Sequence, residues 1–314
     1  SSVCRISGQR SLITDLHGDL DREGILTTVR NHDTAALFSW LIRIFSYQGI
    51  SDQVALSYMD RHGTPHLKDL NASLSERLRC QLLQGYWRFT SCGYRKSAAS
   101  CSHQCLLPSC PLPRHSFRNG RLNQTALSLA LFIRDVAQGD LISWLQHRIR
   151  RVTKHHETID SALIEPLSQI HGVSDKVIRL ALSDLLLGVG RFRQWRDIGG
   201  KIIVVDSLVH NFLQRTGILR RLNADHRYGP QCYQTGGCVD VLHLLASLID
   251  ALSFNRDFPS YFPRFVQKAI WNYCASSEFN ICNGNQIDDR RRCQNRYCSL
   301  YQICDRVRLS KQAR

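Results

Sequence analysis

The chain has 314 residues, with 41 lysines and arginines against 26 aspartates and glutamates, and its formal net charge is +15. This length is enough for one large hydrophobic core or two moderate ones, so the protein needs no metal ion merely to fold. No apolar run approaches the roughly 18 to 20 residues that cross a bilayer, which argues against a membrane protein. The excess of positive charge favours a polyanionic partner such as a nucleic acid.

Apolar residues recur at helical spacing along much of the chain, whereas the alternation typical of strands is hardly seen. The clearest such stretches are residues 36–45, 127–136, 177–185 and 241–249. We therefore predict an all-α fold. Three polar stretches are rich in turn residues and are predicted to be loops or insertions. They are residues 91–119, 188–200 and 223–237.

A first group of cysteines lies inside the predicted insertion 91–119. Its members are separated by eight, three and four residues and are Cys92, Cys101, Cys105 and Cys110. Four such thiols are a candidate zinc or iron-sulfur site, and free cysteines in a loop are the alternative. In a chain of this size, clustered cysteines favour metal binding over a disulfide framework, and we expect the reducing cytoplasm as the compartment.

The segment Ile170-His171-Gly172-Val173-Ser174-Asp175-Lys176 predicts a helical hairpin. One helix would end near Ile170, Gly172 and Val173 would form the turn, and a second helix would start near Ser174. Free N–H groups at the start of a helix are suited to a phosphate, and glycine allows the backbone to approach it closely. An ordinary corner between two helices is the alternative.

An aspartate follows the four β-branched residues 202–205 and precedes another predicted helix. Helix N–H groups can hold a carboxylate at this position in its ionised form. Asp206 is therefore a candidate acidic site residue, and a plain helix cap is the alternative.

The last cysteines are separated by ten, four and five residues and are Cys282, Cys293, Cys298 and Cys304. Four thiolates in so short a stretch can bind a 4Fe-4S cluster or zinc. Cys274 is a second candidate for the first ligand. Cys232 and Cys238 have too few candidate partners to indicate a site by themselves.

These segments resemble the helix-hairpin-helix DNA glycosylases, the endonuclease III-like family. Its pattern reads roughly Leu-Pro-Gly-Val-Gly-x-Lys and then Val-Asp-Thr-His, and it matches residues 170–176 and 205–210. The early segment Phe45-Ser46-Tyr47-Gln48-Gly49-Ile50-Ser51-Asp52 is similar to the family's Leu-Ser-x-Gln-x-Thr-Asp motif. The chain departs from the pattern at His171 and Ser174, in a longer gap between Lys176 and Asp206, and in two longer cysteine intervals.

The resemblance implies a two-lobed fold. A helical barrel would cover residues 33–205, with the hairpin near 165–187 and the cysteine-rich insertion at 91–119. An iron-sulfur cluster domain would combine residues 1–32 with 206–314. The cluster would be a 4Fe-4S cluster, and the insertion would hold a second metal, as zinc or iron-sulfur, if its cysteines are ligands.

The implied activity is that of a DNA N-glycosylase, which flips out a damaged or modified base and cleaves its glycosidic bond. Asp206 would stabilise the positively charged sugar and help to activate the nucleophile. Lys176 occupies the position of the Schiff-base lysine that gives some relatives a lyase activity at abasic sites. Gln48 would fill the space that the flipped base leaves.

The implied partner is double-stranded DNA, bound by a monomer in the cytoplasm or, in a bacterium, at the nucleoid. The hairpin residues Gly172, Val173 and Ser174 would grip a phosphate, and Arg290, Arg291 and Arg292 would bind other phosphates from a cluster-braced loop. The alternative function is a non-catalytic DNA-binding or iron-sulfur redox-sensing module on the same fold. The sequence leaves the excised base and the lyase activity open.

Overall fold

The structure is a computed structural model, and it describes residues 1–47, 52–75, 94–95, 100–101, 121–190, 193–283 and 288–309. Helices dominate these residues, which confirms the predicted all-α class. The strands β1 (Tyr94–Arg95) and β2 (Ser100–Cys101) form a short antiparallel pair. In the described part of the chain, no helix has both the length and the apolar character that crossing a membrane requires.

The helices are numbered in chain order. The first eight are α1 (Ser2–Ser7), α2 (Leu12–Arg22), α3 (Ile25–Arg30), α4 (Thr34–Phe45), α5 (Asp52–His62), α6 (Leu67–Ser75), α7 (Arg121–Asp135) and α8 (Leu141–His155). The others are α9 (Glu165–Ser168), α10 (Asp175–Val189), α11 (Arg193–Gly199), α12 (Ser207–Arg215), α13 (Ile218–Arg221), α14 (Cys238–Ser247) and α15 (Pro263–Cys274). A π-helical turn covers Asp160–Ile164, and 3-10 turns cover Pro230–Tyr233 and Ala251–Ser253.

The chain divides into two compact units. The middle unit is Gly18–Ala181, and the terminal unit combines Ser1–His17 with Leu182–Arg314. Helices α2 and α10 each contribute residues to both units.

The core of the middle unit contains one face of α4 and one face of α7, and these two helices pack on each other. Leu37 and Phe38 of α4 and Leu127 and Phe132 of α7 are completely buried. Asp33 caps α4 by accepting a hydrogen bond from the Ala36 N–H. The apolar stripes at 36–45 and 127–136 therefore lie largely in the core, as their helical spacing predicts.

The core of the terminal unit is organised around α15, against which α1, α12 and α14 pack. Phe258, Phe262 and Phe265 are buried at the start of this helix, and their ring centroids lie 5.0 to 6.0 Å apart. Apolar side chains from all four helices form one continuous cluster. α15 is therefore the common support on which α1, α12 and α14 pack.

Two sequence predictions in this unit were wrong in part. Residues 188–200 were predicted to be a loop, but α11 forms within them because Trp195 and Ile198 are buried on one helical face. The stripe at 241–249 was predicted to be a buried face. Leu244 and Leu248 are instead exposed, since Leu242 and Ala246 face the core of the unit.

Candidate functional site

The predicted hairpin is formed in the middle unit by α9, a turn and α10. Gly172 in the turn has a φ of +81°, in the left-handed region that favours glycine. The Ser168 hydroxyl donates to the Asp175 carboxylate across the turn at 2.7 Å, and the Val177 N–H donates to the Ser174 carbonyl at 3.0 Å. Residues 165–189 thus form a closed helical hairpin.

The hairpin turn is anchored to α7 through the backbone of His171. Its N–H donates to the Ser128 hydroxyl at 2.9 Å, and its carbonyl accepts from the Thr125 hydroxyl at 2.8 Å. Farther along α10, the buried Arg179 forms a salt bridge with Asp160 at 2.9 Å. These contacts hold Gly172 and its neighbours in a single backbone conformation.

Lys176 is the second residue of α10 and is half-buried. It belongs to the middle unit, whereas Asp206 belongs to the terminal unit. The two hydrogen bonds to the Asp206 carboxylate come from residues of the terminal unit.

Asp206 caps α12, and two N–H groups hold its carboxylate. Oδ1 accepts from the Val209 N–H at 2.9 Å, and Oδ2 accepts from the Trp271 indole N–H at 3.0 Å. The first bond is the helix cap that the sequence offered as the simpler role of this residue. The second bond fixes the other oxygen to α15, so the carboxylate has a single orientation.

A lysine that the sequence analysis did not single out lies next to this carboxylate. The Lys268 ammonium nitrogen lies 4.0 Å from the centroid of the Trp271 ring, within cation–π range. Burial and the charge of Arg264 together lower the pKa of Lys268 to about 8, although nearby carboxylates including Asp206 act in the opposite direction. No motif marks Lys268, because its neighbours come from distant segments of the chain.

Four side chains of the terminal unit are arranged to hold a metal ion. They are His210, His226, Cys232 and Cys238, and their ligand atoms all lie within 4.8 Å of one another. The Nδ1 atom of His210 lies 3.3 Å from the Cys238 sulfur and 3.5 Å from the Cys232 sulfur. The Nε2 atom of His226 lies 3.3 Å from the Cys238 sulfur.

The four ligands come from four different elements. His210 is in α12, His226 is in the loop that follows α13, Cys232 is in the 3-10 turn and Cys238 is the first residue of α14. Both cysteines are free thiols and are buried. A hydrogen bond with Cys238 lowers the pKa of Cys232 to about 4, so this sulfur favours the thiolate form.

Sequence reasoning missed this group, although a signal was present. His226, Cys232 and Cys238 follow one another at intervals of six residues. The two cysteines alone offer too few ligands for a metal ion, and His210, the fourth ligand, lies 22 residues before Cys232 in the sequence.

The predicted cysteines at the carboxyl end come together in the structure. Cys282, Cys293, Cys298 and Cys304 all line one cavity of the terminal unit. The Tyr273 hydroxyl lies 3.2 Å from the Cys298 sulfur, and the Arg306 N–H donates to the Cys304 sulfur at 3.3 Å. Burial raises the pKa of Cys304, and the charges of the other three thiols raise it further.

Cys282 lines the cavity together with the other three cysteines and Arg215, whereas Cys274 is not among the residues that line it. The interaction between the two thiols lowers the pKa of Cys282 and raises that of Cys274, and the charge of Arg215 also lowers the pKa of Cys282. Cys282 is therefore better placed than Cys274 to bind a group in the cavity.

A basic loop lies between the first two cysteines of this set. Arg290, Arg291 and Arg292 are exposed. The Arg291 Nε atom lies 3.5 Å from Oδ2 of Asp288, so these two side chains form a salt bridge. Arg296 and the fully exposed Tyr297 line the same open surface as Arg291 and Arg292. The loop therefore presents guanidinium groups and one aromatic ring to solvent.

Several predicted site residues lie outside the described part of the chain. They are Gln48, Cys92, Cys105 and Cys110. Of the predicted second cysteine site, the structure gives only the backbone of Cys101, in β2.

The features that bear on function are thus the two groups of ligands in the terminal unit, the carboxylate of Asp206 and the hairpin of the middle unit. Comparison with protein-family models, curated proteins and solved structures finds no match to this chain.

Proposed function

We propose that the protein is a DNA N-glycosylase that flips a damaged or modified base out of the duplex and cleaves its glycosidic bond. The main support for the proposal is that the Val209 N–H and the Trp271 indole N–H each donate a hydrogen bond to the Asp206 carboxylate and fix its orientation. Cleavage of a glycosidic bond develops positive charge on the sugar, and a carboxylate in a fixed orientation stabilises that charge.

For this chemistry, the Asp206 carboxylate must still have free lone pairs after it has accepted its two structural hydrogen bonds. An ionised carboxylate offers about four lone-pair positions, and the two known N–H donors occupy one on each oxygen. The remaining positions can accept a proton from an attacking water or amine.

Two other features favour DNA as the substrate. The net charge of +15 supplies the sequence-independent attraction to phosphates. The hairpin turn around Gly172 presents backbone N–H groups at the start of the fifteen-residue helix α10, where a phosphate is favoured. Val173 and Ser174 complete this proposed grip.

The residues that would hold a 4Fe-4S cluster are Cys282, Cys293, Cys298 and Cys304. Four soft sulfur donors that line one buried cavity fit such a group. The cluster would act as a brace, linking the loop that carries Arg290, Arg291 and Arg292 to the core at Tyr273 and Arg215. The arginines themselves would bind DNA phosphates.

A lyase step at the abasic site would require an amine nucleophile, for which Lys176 is the candidate. Lys268 has a different proposed role as a positioning residue. Its ammonium group lies on the Trp271 ring and balances the negative charge of the nearby Asp206.

The proposal is tested by single-turnover incubation with duplexes that each contain one altered base, either oxidised pyrimidine, mispaired adenine, uracil or a bulky modified base. We expect abasic sites, seen as strand breaks after alkali, with at least one of them. Breaks without alkali that Lys176→Ala abolishes would assign the lyase step to that residue. DNA binding without base release from any duplex would favour the non-catalytic alternative.

A further inference from the structure

The distances within the group of His210, His226, Cys232 and Cys238 match those of ligands around a single zinc ion. Zinc bonds of about 2.3 Å to sulfur and about 2.0 Å to nitrogen, at tetrahedral angles, place the two kinds of ligand atom roughly 3.5 Å apart. Three of the four nitrogen–sulfur distances in this group are 3.3, 3.5 and 3.3 Å. The side chains therefore already have the arrangement that a tetrahedral ion requires.

A disulfide and a two-iron cluster both fit this group less well than one zinc ion does. The disulfide is not formed, because both cysteines are free. A two-iron cluster with histidine ligands carries its cysteines and its histidines on different iron atoms. Here each histidine nitrogen lies next to a cysteine sulfur, and all four ligand atoms lie within 4.8 Å of one another, which suits one ion.

The surroundings also fit a resident metal. The Nδ1 atom of His226 contacts the Ala224 carbonyl at 2.6 Å, so its N–H can point there while Nε2 faces the sulfur atoms. Histidines that bind metals usually hold their other ring nitrogen in this way. Two thiolates cancel the charge of a divalent ion, so the buried site would carry no net charge.

We propose that His210, His226, Cys232 and Cys238 bind one Zn²⁺ ion, and that this ion holds the segment that carries Asp206 in place. The ion is distinct from the group bound by the cysteines at the carboxyl end. Because the protein supplies all four ligands, the site is closed and its role is structural. The role of Asp206 rests on the proposed function, whereas the binding of zinc does not.

Two sets of contacts link the zinc site to Asp206. The backbone N–H of His210 donates to the backbone carbonyl of Asp206 at 3.0 Å, so this ligand lies one helical turn after the candidate acid. The Tyr233 hydroxyl accepts from the Val205 N–H and donates to the Val205 carbonyl, each at 3.0 Å. Tyr233 directly follows the ligand Cys232. The ion would thus tie the 226–238 loop to the backbone on both sides of Asp206.

The first test is elemental analysis of the full chain purified without chelator. We expect one zinc per chain in the wild type and in a Cys4→Ser control, which alters another buried free cysteine of the same core. Cys232→Ser and His226→Ala should each lose the zinc. His226 is only half-buried, so this variant keeps the test informative if Cys232→Ser fails to fold.

Cobalt substitution tests the ligand set directly. The Co²⁺ form should show sulfur-to-metal charge-transfer absorption and the visible bands of a tetrahedral site, and His226→Ala should lose them while Cys298→Ser retains them. Zinc retained in both Cys232→Ser and His226→Ala, or iron instead of zinc lost from them, would overturn the proposal.

The positioning role has a readout that does not depend on activity. Amide hydrogen exchange of residues 203–210 should rise at least tenfold in His226→Ala, with α7 of the middle unit unchanged. Unchanged exchange after loss of zinc would disprove the link to Asp206. Absence of base excision in the wild type would disprove the proposed function and leave the zinc result intact.

Discussion

The indole N–H of Trp271 donates to Oδ2 of Asp206 at 3.0 Å, across 65 positions of the sequence. Trp271 belongs to α15, the helix at the centre of the terminal unit, and Asp206 belongs to the start of α12. The helix that supports the core therefore also orients the candidate acid.

Replacement of Trp271 by phenylalanine keeps most of the aromatic packing and removes this one donor. A hydrogen bond to a charged group contributes about 1.5 to 3 kcal/mol, so we expect single-turnover excision to slow by about 10- to 100-fold with little change in DNA affinity. Trp144→Phe is the matched control, because its buried indole N–H has no hydrogen-bond partner among the residues that the structure describes. Equal effects of the two substitutions on excision would contradict the assigned role.

The stability of the protein should depend on pH through Lys268. Its pKa is lowered to about 8 by burial and by Arg264, so between about pH 8 and pH 10.4 the unfolded chain binds a proton that the folded chain releases. The wild type should therefore gain stability relative to Lys268→Met as the pH rises through this window. Thermal unfolding of both proteins at pH 7, 9 and 10 measures the difference.

Lys201→Met is the control, because Lys201 is exposed and its loss removes a lysine without removing a buried one. A difference between the wild type and Lys268→Met that stays constant with pH would show that Lys268 titrates normally in the folded protein.

Cys282 and the neighbouring Cys274 should respond differently to substitution by serine. Cys282 lines the cavity, so Cys282→Ser should lose most of the iron and of the brown absorption near 400 nm. Cys274→Ser should keep both, because Cys274 is not among the residues that line the cavity. Iron and sulfide analysis of the purified variants decides between them, and loss of iron only from Cys274→Ser would reverse the assignment.

The basic loop should contribute to DNA affinity through phosphate contacts. Each contact that is lost lowers the slope of log K against log salt by about 0.9, so Arg290→Ala with Arg292→Ala should reduce the slope by about 1 to 2. Arg220→Ala with Arg221→Ala is the control, since Asp305 already pairs with both arginines. Fluorescence anisotropy over a salt series measures the slopes, and equal changes in the two double variants would argue against a specific role of the loop.

Local patterns predicted the helices well, because burial of one helical face follows directly from spacing, as at Leu37 and Leu127. The hairpin at Gly172 and the cap at Asp206 were predictable from local residue types, a turn glycine and a capping aspartate. Prediction failed for 188–200, where glycines at both ends obscured the apolar face of Trp195 and Ile198.

The metal group and the neighbours of Asp206 could not be located from sequence patterns alone. His210 is separated from the Cys238 sulfur that it contacts by 28 residues, and Trp271 is even farther from Asp206. Such pairs form only when α12, α14 and α15 pack together, which a single sequence does not specify. The carboxyl-terminal cysteines were found because all four lie close together along the chain.

The central claim is that Asp206 performs base excision, and Asp206→Asn tests it most directly. Asparagine keeps the size and one acceptor oxygen, which can still cap α12 at the Val209 N–H, but it removes the negative charge and the acceptor of the Trp271 N–H. On the best duplex found by the panel, measured in single turnover, we expect excision to fall by at least about 100-fold while DNA affinity changes less than about threefold. Excision at the wild-type rate by a folded Asp206→Asn protein that retains its metals would contradict the account.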